Sequence, residues 1–88
     1  MWLLKLLIIG LLSPNIYAIA QSNILEGVKN NPQEAMAMCT NFRDLNSNGI
    51  SASSETAISQ ISTNKNITPT EAEILSIYVI GIHCPDVT

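Results

Sequence analysis

Thr68–Pro85, TPTEAEILSIYVIGIHCP, joins the clearest helix start in the chain to a long apolar run and a cysteine at its stop. Thr68 stands where a side-chain oxygen can accept from the first free backbone N–H groups. Pro69 at N1 loses nothing by lacking an N–H, and Glu71 at N3 can reach back to the cap. Ile67 and Ala72 occupy the positions of a hydrophobic staple. Beyond the cap the apolar residues fall at helical spacing into two stripes: Leu75, Tyr78, Val79 and Ile82 on one, Ile74, Ile77 and Gly81 on the other. The β-branched density of Ile77–Ile82 resembles a strand, but the caps select helix. A helix apolar almost all round is either central or partly covered by another subunit. The run falls short of the roughly 20 apolar residues that a membrane span needs.

Working outward, Cys84 at the end of this helix has one candidate partner, Cys39, because the chain holds only two cysteines. The expectation is a Cys39–Cys84 disulfide with the rest of the mature protein arranged around it. Closing a loop of about 45 residues constrains the unfolded chain by about 4 kcal/mol, comparable to the whole stability of so small a domain.

The N-terminus explains why a disulfide is available. Met1–Lys5 carries a single positive charge, Leu6–Leu12 completes an apolar run broken at Gly10, and Ser13–Pro14 ends it. Ala18-Ile19-Ala20 then supplies an A-x-A cleavage signature, so residues 1–20 read as a secretory signal peptide cut after Ala20 or after Ala18. The expected location is secreted or periplasmic, an oxidising setting. What remains, 21–88, is one small domain with its core at about 32–85. It keeps Lys29, Arg43 and Lys65 against seven scattered acidic residues, a net charge of −4. That balance offers no footprint for nucleic acid or an anionic membrane surface.

The earlier part of the domain predicts two further helices. Asn31-Pro32-Gln33-Glu34 has the form of a capping box, and Ala35, Met38, Cys39, Phe42 and Leu45 follow as one stripe that turns the Cys39 sulfur inward. Asn48 and Gly49 can close it through a left-handed residue. A shorter helix begins among Ser51–Ser54, carries Ala57, Ile58 and Ile61 inward, and fades at Thr63–Asn66. Gln21–Asn31 reads as a polar lead-in, a short helix or ordered arm. The fold class is therefore all-α, a small three-helix domain stapled by one disulfide.

Cys39, Leu45, Gly49-Ile50-Ser51, Ala57-Ile58, Thr68-Pro69, Ala72 and Tyr78 through His83-Cys84-Pro85 recur in an order that resembles the small secreted proteins grouped as the domain of unknown function DUF732. It is also similar to short exported proteins of cyanobacteria. The resemblance covers about Met36–Pro85. It implies a compact helical domain with a disulfide between its first and last helices, and no known activity. The chain departs from that pattern between Cys39 and Gly49, where it is rich in asparagine.

That departure holds the main chemical candidate. Asp44–Glu55, DLNSNGISASSE, matches the EF-hand loop D-x-[DN]-x-[DN]-G-x5-E at each constrained position. Calcium would take oxygens from Asp44, Asn46, Asn48, the Ile50 carbonyl and Glu55, with Gly49 making the turn. Against it stand Ser51 where an aliphatic residue is usual, Arg43 before the loop, polar Thr56, Ser59 and Gln60 after it, and no second hand. The competing reading is that Asp44–Gly49 caps one helix and Ser51–Glu55 starts the next.

The other candidates are weaker. One histidine, His83, beside a cysteine consumed in a disulfide makes neither a metal site nor a nucleophile pair. Glu71 and Glu73 are sequence neighbours and point to different sides of a helix. Asn66-Ile67-Thr68 has the form of a glycosylation acceptor, although Thr68 is accounted for as a cap. Met36 and Met38 read as core and rim packing rather than a recognition surface. These residues predict a small exported non-enzymatic protein, an interaction or envelope module without a cofactor, acting on a protein partner or on itself. The alternatives are a weak calcium-binding module through 44–55 and a periplasmic chaperone-like protein.

Overall fold

The computed structural model describes residues 23–88; the expected signal peptide 1–20 and its cleavage points lie outside the described residues. The chain runs through α1 (residues 23–29), α2 (Pro32–Ser47), α3 (Glu55–Lys65) and α4 (Pro69–His83). No strand occurs among the described residues. The domain is all-α as read, with a fourth, short helix where the sequence predicted a helix or an arm. Val28 is the reason α1 is ordered: it is 2% exposed and belongs to the core, and Ile24 and Leu25 pack against that core. Burial of that apolar face outweighs the helix-weakening Gly27. At its far end Lys29 Nζ lies 5.9 Å from the centre of the Tyr78 ring, within cation–π reach.

The cap of α4 forms as its residues dictate. The Glu71 N–H donates to Thr68 Oγ1 at 3.1 Å, and the Thr68 N–H donates to Glu71 Oε1 at 2.9 Å. Helix α3 is capped by Ser54, which accepts from the Ala57 N–H at 3.2 Å. Asn66 closes α3 in the left-handed conformation, φ 55°, with its N–H turned back on the Ser62 and Thr63 carbonyls.

Helix α2 differs from expectation at its start. Asn31 holds the N-cap position and Pro32 follows, but the Asn31 side chain makes no capping bond. Glu34 does not close a capping box either; its carboxylate pairs with Lys65 at the end of α3. A half-buried ammonium makes a charge-assisted bond that a neutral backbone N–H cannot match.

The predicted stripe of α2 is otherwise buried throughout, from Ala35 to Leu45. Facing it are Ala72, Leu75, Ser76 and Val79 of α4, with Ala57 and Ile61 of α3. Helix α4 packs against both α2 and α3, which makes it the central element. Val28 and Val87 carry the core past the expected limits of 32 and 85. Two inward assignments fail. Ile82 is 60% exposed, because it lies in the last turn of α4 where none of the described elements covers it, and Met36 is 63% exposed.

Cys39, midway along α2, is joined to Cys84 at the C-cap of α4, with a Cα–Cα distance of 5.9 Å and a sequence separation of 45. Both residues are buried in the core. Replacing both with alanine should therefore lower unfolding free energy by about 4 kcal/mol, read as a shift of the denaturant midpoint. An unchanged midpoint would mean that the helices hold without the cross-link.

Candidate functional site

The Asp44–Glu55 segment is a helix exit followed by a helix entry. Helix α2 continues to Ser47, so Asp44 and Asn46 lie in its last turn, Asn48 is the C-cap, and Gly49 turns the chain at φ +76°. The amide side chains of this segment bond to the chain itself. Asn46 Nδ2 donates to the Ile50 carbonyl at 2.9 Å and to a Thr88 main-chain oxygen at 3.3 Å. Asn46 Oδ1 accepts from the Thr88 N–H at 2.8 Å and from the Thr88 hydroxyl at 3.2 Å. Asn48 Nδ2 donates to the Asp44 main-chain oxygen at 3.0 Å. Glu55 begins α3, where a carboxylate is favoured by the helix dipole. Of the five calcium candidates, four are thus bonded in two pairs, Asn46 to the Ile50 carbonyl and Asn48 to the Asp44 main-chain oxygen, and the amide oxygen of Asn46 already carries two donors. Among the described residues, no three His, Cys, Asp or Glu side chains gather as a metal would require.

These bonds make a clasp between the α2–α3 connection and the tail after α4. The Ala52 N–H donates to Thr88 at 2.8 Å, and Val87 is buried beneath. Arg43 completes it: Nε and Nη2 donate to the two carboxylate oxygens of Asp86 at 2.9 and 3.0 Å, a fork-to-fork pair. Those hydrogen bonds hold the Asp86 carboxyl below its ordinary range. Both side chains are exposed, so salt screens the pair. In the sequence Arg43 counted against an EF-hand and as one of three scattered basic residues, with no partner assigned. Its partner lies 43 residues away, a separation at which no local pattern operates.

Helix α4 also carries an apolar face that the other described elements only partly cover. Ile77 is 67% exposed, with Ile74 and Ile80 half-buried to either side. Gly81 continues that face, and a Cβ there would meet nothing within 4 Å. Beside Ile77 runs a shallow groove of about 80 Å³, walled by Ala52 and Ile58 from the α3 side and by Ile80, with Glu73 at its edge. It is apolar and open.

Elsewhere the Glu34–Lys65 pair forms a bar between two clefts of about 300 and 240 Å³, one floored by Val28 and Leu75, the other by Met38 and Ile61. Each charge of the bar is answered by the other. Asn66 of the glycosylation-like tripeptide is exposed, and the hydroxyl of Thr68 serves as the α4 cap. His83 is exposed in the last turn of α4.

A model of the family described as Domain of unknown function (DUF8664) matches residues 25–84. The match supports an uncharacterised domain but not the DUF732 grouping that the short motifs suggested. Those motifs are cap, turn and cysteine positions, which any small disulfide-closed helical domain can share. No curated protein and no solved structure matches the chain.

Two outcomes test the clasp. Asn46→Ala removes bonds whose freed partners are largely open to water and should cost about 0.5–1.5 kcal/mol, whereas millimolar calcium in place of chelator should leave the melting temperature unchanged; a rise of several degrees would restore the calcium reading. The Asp86 carboxyl has a lowered folded-state pKa, so its stabilisation is complete above the ordinary aspartate range and is lost as pH falls through the lowered value. Asp86→Asn should remove that acid-side loss from a stability–pH profile at low salt. A profile that is superimposable on wild type would deny the pair any role.

Proposed function

We propose that this chain, which belongs to the DUF8664 family, is a small exported, disulfide-stapled interaction module without catalytic activity. Its binding surface is the uncovered face of α4, and its partner presents a complementary apolar helix. The observation that carries this reading is Ile77, two-thirds exposed at the middle of a helix tied at both ends. A capping box fixes one end of α4 and the disulfide fixes the other. A rigid apolar strip of this kind loses little entropy on binding, which is the cost that most erodes affinity. Scattered single apolar residues on a surface need no explanation. Ile77 is not isolated in this way, since Ile74, Ile80 and the groove wall of Ile58 continue its surface.

Export is supported by the leader composition of residues 1–20 and by the pairing of both cysteines, which suits an oxidising compartment. A non-catalytic role is supported by the chemistry of the candidate groups: the thiols are in a disulfide, and the Asn46 amide of the 44–55 segment is bonded to the Ile50 carbonyl and to the tail.

The test is an Ile77→Glu variant compared with wild type for binding of an environment-sensitive hydrophobic dye. Binding should fall several-fold while stability stays within about 0.5 kcal/mol, as for exposed positions generally. Equal dye binding by the two proteins would remove α4 as the interaction surface.

A further inference from the structure

We propose that the segment after α4 is a latch on the cross-link. The Cys39–Cys84 disulfide exchanges with a dithiol reductant only after residues 86–88 have lifted from α2, so cystine and clasp open as one redox-linked unit.

Three rungs join this segment to one side of α2. Cys84 is bonded to Cys39, Asp86 to Arg43 and Thr88 to Asn46. On α2 the partners follow at steps of four and three residues, which keeps them on one face of a helix. On the segment they are alternate residues, 84, 86 and 88. Successive rungs therefore lie about 6 and 4.5 Å apart along α2. The covalent rung is the innermost, and the other two lie on its side toward the α2–α3 connection. Between the rungs the chain turns inward. The Val87 N–H donates to the Cys84 carbonyl at 3.1 Å, and Val87 joins the buried cluster that holds both cysteines. Cys84 is 0% exposed and Cys39 3%.

Reduction requires a thiolate to reach a sulfur of the disulfide. The reductant's thiolate forms a bond to the Cys84 sulfur as the S–S bond breaks, and Cys39 leaves as a thiolate that takes up a proton. The reductant's second thiol then loses its proton and displaces Cys84, which is protonated in turn. The products are two cysteine thiols and the reductant as its own disulfide, two electrons having passed to the protein. Neither sulfur presents a surface to this attack in the folded domain, so an opening must precede it.

Local openings occur where few apolar contacts and exposed hydrogen bonds hold a segment. Residues 85–88 meet both conditions. Val87 is their one buried side chain, and their bonds to Arg43 and Asn46 are exposed. The α2 stripe and the inner face of α4 are instead buried along their length. The latch therefore lifts before the helices part. Coupling between two sites is reciprocal: bonds that hold the segment shield the cystine, and reduction frees the segment and leaves Arg43 and Asn46 without these partners.

The test is the initial rate at which excess dithiothreitol reduces the oxidised protein, read by thiol titration in buffer and in dilute urea. Val87→Ala should speed reduction about tenfold, and Asn46→Ala should speed it several-fold. The wild-type rate should change little in dilute urea, because lifting a short segment exposes little surface. Thr68→Ala removes the cap at the other end of α4 and lowers global stability, yet it should alter the rate by less than about twofold. Acceleration by Val87→Ala and Thr68→Ala in proportion to lost stability, with a rate rising steeply in urea, would mean that thiols reach the cystine only through unfolding of the domain. That result overturns the latch. Rates indifferent to all three substitutions would overturn it too, since the sulfurs would then be reached by a route that the segment does not cover.

Discussion

The cross-link between Cys39 and Cys84 is the constraint on which the arrangement of the other elements depends. A chain of this size buries only about 60% of the surface it exposes when unfolded, and its largest fully buried side chains are Phe42, Leu75, Val79 and Cys84. Two of the most buried positions are thus a cystine half and the residue five before it on the same helix. The cross-link fixes the middle of α2 to the end of α4. With that distance set, the stripe from Ala35 to Leu45 has one helix face to meet, and α3 is left to close the remaining side through Ala57 and Ile61.

The tail follows from the same constraint. Once Cys84 is held at α2, Pro85–Thr88 must leave beside the last turn of that helix, where Arg43 and Asn46 project. Asp86 and Thr88 find partners there, Asp86 with Arg43 and Thr88 with Asn46. Asn46 is well suited to the position, since one amide can donate to the Ile50 carbonyl and accept from Thr88 simultaneously. The same residue types at the same spacing make an EF-hand pattern legible. Oxygen-bearing side chains around a glycine turn suit a cation, and they equally suit the closing of one helix and the opening of another.

What could be read from the sequence was whatever is governed by neighbours in the chain. The α4 cap depends on Thr68 and Glu71, three residues apart, and it formed. The α2 stripe depends on helical periodicity, and each of its members is buried. The disulfide followed from having two cysteines. Where the determinants are distant, local reading failed. Glu34 looked committed to Asn31, but Lys65, 31 residues on, takes it. Arg43 had no visible partner until the tail was placed. Ile82 shares a stripe with Leu75 and Val79, yet the elements that cover those two stop short of it.

Helix α4 leaves the largest remainder. Its apolar residues surround most of its circumference, and two neighbours of 16 and 11 residues cover only the inner part. A soluble domain under no other demand would carry polar residues on the outer side, as α3 does with Thr56, Ser59, Gln60 and Thr63. Isoleucine at position 77 does nothing for the packing of the domain, and glycine at 81 weakens the helix that holds the domain together. The interaction surface proposed on α4 accounts for the exposure of Ile77, whereas the clefts beside Glu34 and Lys65 are lined by residues that the packing of the fold already explains.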